Sequence, residues 1–179
     1  MDALTPKLTA FIEAQPMFFV ATAAAEGRVN VSPKGMDTLR VVDPSRVVWL
    51  NLTGSGNETA AHVAASGRMT LMWSSFDTTP MTLRAYGSAT VVHPRDPQWS
   101  TLIATFPELG GSRQLFDLQI DHVATSCGTG VPVMALESIR ADEALEPFYA
   151  EMSADELEAY WRRKNVSSID GFETHLFSD

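Results

Sequence analysis

The residues best suited to chemistry lie in the break Thr53-Gly54-Ser55-Gly56-Asn57-Glu58-Thr59, between an apolar run and a short helical pattern. Consecutive backbone N–H groups in a glycine-rich turn that opens a helix make a ready anion site. Thr53, Ser55, Asn57 and Thr59 add neutral donors to it. The segment matches neither GxxxxGK[ST] nor GxGxxG with an acid about 20 positions further on. Simple helix capping by Asn57 or Ser55 explains the same residues, so the turn reads as a cradle or as a cap. Cations for an anion are at hand, because Arg28, Lys34, Arg40, Arg68 and Arg84 all fall in the first half of the chain. Lys34 is read in an exposed loop after a strand, where solvation alone accounts for it. Arg84 sits in an alternating strand, and a surface ion pair is its rival reading.

A second group is Asp121-His122 followed by Ser126-Cys127-Gly128-Thr129-Gly130. Cys127 and His122 have the types of a nucleophile and its base. Five positions apart on a strand, they point to opposite faces and stand about 16 Å apart. A free cysteine more often behaves as a small apolar residue. Histidines 62, 93, 122 and 175 show no HExxH or other metal spacing, and no metal site is expected. His62 follows the glycine-rich break and reads as exposed or as facing a groove. Catalytic residues are not identifiable from these patterns.

The elements that must position these groups follow from apolar periodicity. Leu4, Leu8, Phe11 and Ile12 have helical spacing, with Thr5 as N-cap and Pro6 at the first position. Phe18 to Thr22 reads as a buried strand. Arg28 to Ser32 alternates Val29 and Val31 against polar residues, which predicts one apolar and one polar face, interrupted by Pro33. Leu39 to Val42 and Arg46 to Leu52 are strands around an Asp43-Pro44-Ser45 turn. A short helix runs from Asn57 to about Ser66 and is closed by Gly67. Arg68 to Trp73, Met81 to Val92 and Leu115 to Ser126 are strands, with a bulge expected at Gly87 and with Leu118, Ile120 and His122 on one face. Trp49 and Trp73 read as core or interface residues. Asp96 to Phe106 is helical, as is the acidic stretch from about Ala141 to Lys164, where Ser153 and Glu156 form a capping box. Closely spaced strands without βαβ alternation predict an α+β fold around a small antiparallel β-barrel.

Composition bounds the function. The 179 residues are 45% hydrophobic and 20% charged, enough for one domain with a sizeable core. We expect a single domain over 1–179, with a barrel over about 16–135 and an acidic helical tail over about 140–179. A net charge of −9 argues against broad nucleic-acid binding. No apolar run approaches the roughly 20 residues of a spanning helix, and no signal peptide is evident, so no membrane association and a cytoplasmic location are expected. One cysteine permits no internal disulfide.

Phe18 to Val92 resembles the FMN-binding split barrel of the pyridoxamine 5'-phosphate oxidase-like proteins. The matching pieces are FFVATA (Phe18 to Ala23), VNVSPKG (Val29 to Gly35), VVWLNLTGSGNETAAHV (Val47 to Val63), RMTLMW (Arg68 to Trp73) and LRAYGSA (Leu83 to Ala89). The resemblance implies a homodimer that binds FMN at the subunit interface. It implies phosphate contacts from Asn30, Ser32 and Lys34, from the turn residues Thr53, Ser55, Asn57 and Thr59, and flavin contacts from Thr82 and Arg84. Where the family commonly has a Ser-x-Lys clamp, residues 55–59 read Ser-Gly-Asn-Glu-Thr, so Lys34 or Arg84 must supply the positive charge. The implied function is a flavin-dependent oxidoreductase acting on a small molecule. A non-catalytic flavin- or haem-binding or storage protein and a deazaflavin-dependent reductase are the alternatives. Residues 165–179 contain no Lys or Arg, which argues against oxidation of pyridoxamine phosphate itself.

Overall fold

The computed structural model describes residues 1–178. The first helix, α1 (Pro6–Glu13), begins where Thr5 accepts the Leu8 N–H at 3.3 Å, and it buries Leu8 and Ile12. Seven strands follow: β1 (Met17–Thr22), β2 (Asn30–Gly35), β3 (Leu39–Asp43), β4 (Arg46–Leu52), β5 (Arg68–Ser74), β6 (Thr82–Val92) and β7 (Ser112–Ser126). They form one antiparallel sheet in the order β2-β1-β5-β6-β7-β4-β3. Between β4 and β5 lies α2 (Glu58–Ser66), and α3 (Trp99–Ile103) precedes β7. After β7 come α4 (Arg140–Ala150) and α5 (Ala154–Lys164), followed by a non-helical segment from residue 165.

The sheet curls into a half-barrel, bringing strands that are far apart in the order together. Phe18 of β1 meets Trp49 of β4 edge-on at 6.1 Å, with three strands between them. Trp49 stacks on its cross-strand partner Phe116 at 4.6 Å, and these rings with Trp73 fill the interior. Large aromatics of this kind dominate core burial, which is why both tryptophans are structural. Register shifts at Tyr86/Gly87 and Asn51/Leu52 supply the curvature. At Gly87 the close approach is absolute: a Cβ there would lie 2.0 Å from the Gln119 carbonyl oxygen. A second apolar layer, with Leu50, Leu102, Phe106 and Leu115, packs on the other side of β4.

Three local expectations change, and one concerning the tail holds. Pro33 does not interrupt β2 but lies within it, and the strand runs on to carry Lys34, which is half-buried rather than in an exposed loop. On β7 the bulge makes Asp121 the extra residue, so the inward phase passes from Ile120 to Val123 and leaves His122 exposed. The acidic tail forms helices as expected, α4 and α5 separated at 151–153, with the expected Ser153–Glu156 capping box starting α5. The 96–106 segment forms only the short α3, flanked by turns.

Candidate functional site

The amphipathicity of β2 is inverted. Val29 and Val31, the apolar residues of the alternation, are 72% and 62% exposed, while Asn30, Ser32 and Lys34 face a cleft. That cleft consists of two adjoining cavities of about 110 and 240 Å³ that share Lys34, Asn51, Gly56 and Arg113. Asn30, Ser32 and Thr59 line the smaller one; Leu145 of α4 covers part of the larger.

Two cations meet there. Arg113, at the start of β7, is 3% exposed and forks onto the glycine-rich turn, donating to the Gly54 oxygen at 3.2 Å and the Gly56 oxygen at 2.8 Å. Lys34 Nζ reaches Asn51 Oδ1 at 3.5 Å and lies 5.3 Å from the Trp49 ring centre. Burial, and then the Arg113 charge beside it, pushes the Lys34 ammonium down to about 8. Burial likewise lowers the Arg113 guanidinium to about 10. Neither is in an ion pair among the described residues. Buried like charges without a counter-ion are costly, so the arrangement favours an anion between them.

Unused donors point the same way. Ser32 Oγ and Arg113 Nε are buried and have no hydrogen-bond partner in the protein. A relay sets the direction of a third. Asn30 Nδ2 donates to Thr22 Oγ1 at 3.3 Å and to Thr59 Oγ1 at 3.1 Å, and Thr22 Oγ1 lies 3.1 Å from His62 Nδ1. Thr22 Oγ1 and His62 Nδ1 share that hydrogen bond, and His62 Nε2 is buried without a partner. Thr59, as the acceptor from Asn30, keeps its own hydroxyl proton for the cavity. The carboxylate of Glu58 also borders the cavity, but it is turned onto the Asn57 and Ile169 N–H groups at 3.0 and 3.2 Å. Burial opposes its ionisation, and its own backbone N–H together with those of Asn57 and Ile169 outweighs that and holds it below the usual carboxylate range.

The residues singled out from the sequence therefore separate. Asn30, Ser32, Lys34 and Thr59 come together around the smaller cavity. Thr53 and Asn57 are buried and committed to the C-terminal segment: Thr53 Oγ1 accepts from Trp161 Nε1 at 2.7 Å, and Asn57 Nδ2 donates to the Lys164 oxygen at 2.7 Å. Ser55 is exposed. Thr82 is buried against Ser74 at 3.3 Å, Arg84 reaches Ser126 Oγ at 3.4 Å, and neither lines the two cavities. His62 is fully buried, not at the surface. Cys127 is exposed, and the Thr129 hydroxyl and N–H hold its thiol below the ordinary range. Among the described residues no group of three potential metal ligands occurs, and no helix is long and apolar enough to cross a membrane. Arg113 escaped the sequence reading. An arginine opening an apolar strand was its only signal, and nothing in spacing tied it to a turn 57 residues earlier.

A family model described as pyridoxamine 5'-phosphate oxidase matches residues 4–127. The chain belongs to that family. It is 33% identical over 186 residues to the pyridoxamine 5'-phosphate oxidase family protein ustO of Aspergillus flavus, an alignment covering 95% of this chain and 75% of the relative. In fold it is similar to HupZ of Group A Streptococcus, with TM-score 0.57, 15% identity, and coverage of 74% of this chain and 99% of that one. It is also similar to a candidate pyridoxamine 5'-phosphate oxidase of Lactobacillus delbrueckii, with TM-score 0.55, 23% identity, and coverage of 69% and 99%. These likenesses establish the split barrel of the pyridoxamine 5'-phosphate oxidase family as the fold of this chain.

Proposed function

We propose that this member of the pyridoxamine 5'-phosphate oxidase family binds FMN, holds its phosphate in the cavity between β2, α2 and Arg113, and serves as an oxidoreductase for a small molecule. One observation carries the reading: two cations, the half-buried Lys34 and the buried Arg113, converge on a cavity of about 110 Å³ where Ser32 Oγ and Arg113 Nε are left without partners. A phosphate monoester fits that donor set, since it brings negative charge and several acceptor oxygens to groups that otherwise stay unpaired. Lys34 and Arg113 would neutralise it, and Ser32 and Thr59 would donate hydroxyl hydrogen bonds. Bound flavin would supply the two-electron redox chemistry. The protein's part is to hold the cofactor by its phosphate and to orient the ring along the neighbouring larger cavity.

The outward valines support a homodimer as the working form. Val31 lies on β2, an edge strand of the sheet, and Val29 just precedes it; two large apolar side chains at an open edge favour burial against a second copy.

The test is a titration of the purified chain with FMN and with riboflavin, read by flavin fluorescence and the visible spectrum, followed by reduction with NADH or NADPH. FMN should bind with at least tenfold preference over riboflavin, and the bound flavin should be reducible. Equal affinity for the two refutes the phosphate assignment. Uptake of a deazaflavin or of haem in place of FMN refutes the cofactor, and binding without reduction refutes the oxidoreductase reading.

A further inference from the structure

The groups that build the cavity wall are themselves held by a part of the chain beyond the family match at residues 4–127. Asn165, fully buried just after α5, donates through Nδ2 to the Gly54 oxygen at 2.8 Å and to Asn57 Oδ1 at 2.7 Å. The same Gly54 oxygen accepts from Arg113 Nη1 at 3.2 Å, so a single carbonyl joins the tail to the buried guanidinium. Asn57 answers by donating to the Lys164 and Ser167 oxygens at 2.7 and 2.9 Å. Thr174 Oγ1 closes the loop onto the Asn165 oxygen at 2.6 Å. Next to it, Trp161 Nε1 donates to Thr53 Oγ1 at 2.7 Å, and the Tyr149 hydroxyl donates to the Thr53 oxygen.

A turn with two glycines in four residues has unusual backbone freedom and does not by itself hold its carbonyls in one direction. Here the Gly54 and Gly56 oxygens must point at Arg113 for its charge to stay at the wall shared by the two cavities. We infer that Asn165 and Trp161 are positioning residues for the anion pocket: from the C-terminal segment they fix residues 53–57, which in turn fix Arg113, without themselves touching the anion. This rests on the reading of the cavity as a phosphate site. It also explains why Thr53 and Asn57, donors suited to an anion, are turned away from the cavity.

The experiment uses the full chain with Asn165→Ala and, as the milder change that keeps the aromatic bulk, Trp161→Phe. Two measurements are made on each: hydrogen exchange of peptides covering residues 53–59 without ligand, and dissociation constants for FMN and riboflavin. Asn165→Ala should speed exchange in that segment and weaken FMN about tenfold, with riboflavin changed much less. Trp161→Phe should move both readouts in the same direction by a smaller factor, and it carries the test if Asn165→Ala does not fold. Unchanged exchange at 53–59, or equal loss of FMN and riboflavin, overturns the inference. If the wild type shows no preference for FMN over riboflavin, the phosphate reading fails, and the exchange comparison still decides whether the tail positions the turn.

Discussion

Replacing Lys34 with methionine removes a charge while keeping most of the side-chain volume, and the structure gives its two effects opposite signs. In the ligand-free protein the ammonium is disfavoured by burial and by Arg113, which lowers it from 10.5 to about 8. A base whose folded pKa lies below its unfolded value opposes folding wherever both states are protonated, here below about pH 8. The penalty fades as pH rises from 8 towards 10.5, where the unfolded chain binds the extra proton. At about 1.4 kcal/mol per unit the penalty is at most about 3–4 kcal/mol, and solvent at the half-buried side chain brings it to about 1–3 kcal/mol. Lys34→Met should therefore raise the melting temperature of the ligand-free protein at pH 7 by several degrees, at about 2–4 °C per kcal/mol for a chain of this size. With FMN the sign reverses. One charge-assisted hydrogen bond to phosphate is lost, about 1.5–3 kcal/mol or roughly 10–100-fold in affinity, while riboflavin is unaffected. Differential scanning fluorimetry and fluorescence titration on the same samples read both. A lower melting temperature for the ligand-free variant, or parallel loss of FMN and riboflavin, would refute the argument that Lys34 is a strained cation waiting for an anion.

The same group sets a pH dependence. Above about pH 8 the ligand-free protein loses the Lys34 proton that phosphate needs, so FMN affinity should fall by up to tenfold per unit there, a slope that disappears in Lys34→Met when titrations are run from pH 6 to 10. Val31→Glu places a charge on the outward face of β2 and should convert a homodimer to monomer, as read by light scattering; a chain that is monomeric before the change contradicts the dimer proposal. Gly87→Ala forces a Cβ onto the Gln119 backbone and should cost about 3 kcal/mol or more in thermal denaturation, since β6 and β7 cannot separate there without losing the bulge. Thr22→Val leaves His62 Nδ1 and Asn30 without their shared hydroxyl, and should destabilise by about 1–3 kcal/mol while weakening FMN several-fold in the same titration.

What was legible in the sequence is what local physics dictates. Alternation located the strands, Thr5 and Ser153 marked helix starts, Gly67 ended α2 in the left-handed region at φ 67°, and Gly87 marked the bulge, because each is decided by neighbours within a few residues. The order of those pieces also carried the family. The polar face of β2 was legible as far as Asn30 and Ser32, which share it at period two, while Lys34 joins them only because the strand runs on through Pro33. Which face turns inward was not legible, because the outward placement of Val29 and Val31, both exposed, depends on what packs against the edge of the sheet rather than on the strand itself. The direction of the donors around residues 53–59 was also out of reach. Asn57 and Thr53 have the chemistry of anion ligands, and only the arrival of Asn165 and Trp161, more than 100 residues later, commits them elsewhere. Arg113 came to the site by the same route, since closing the sheet brings the start of β7 beside the turn after β4. Residue types and periods settle which groups are available; the curl of the sheet and the docking of the tail decide which of them face one another, because contacts between distant segments are formed only when the chain closes on itself.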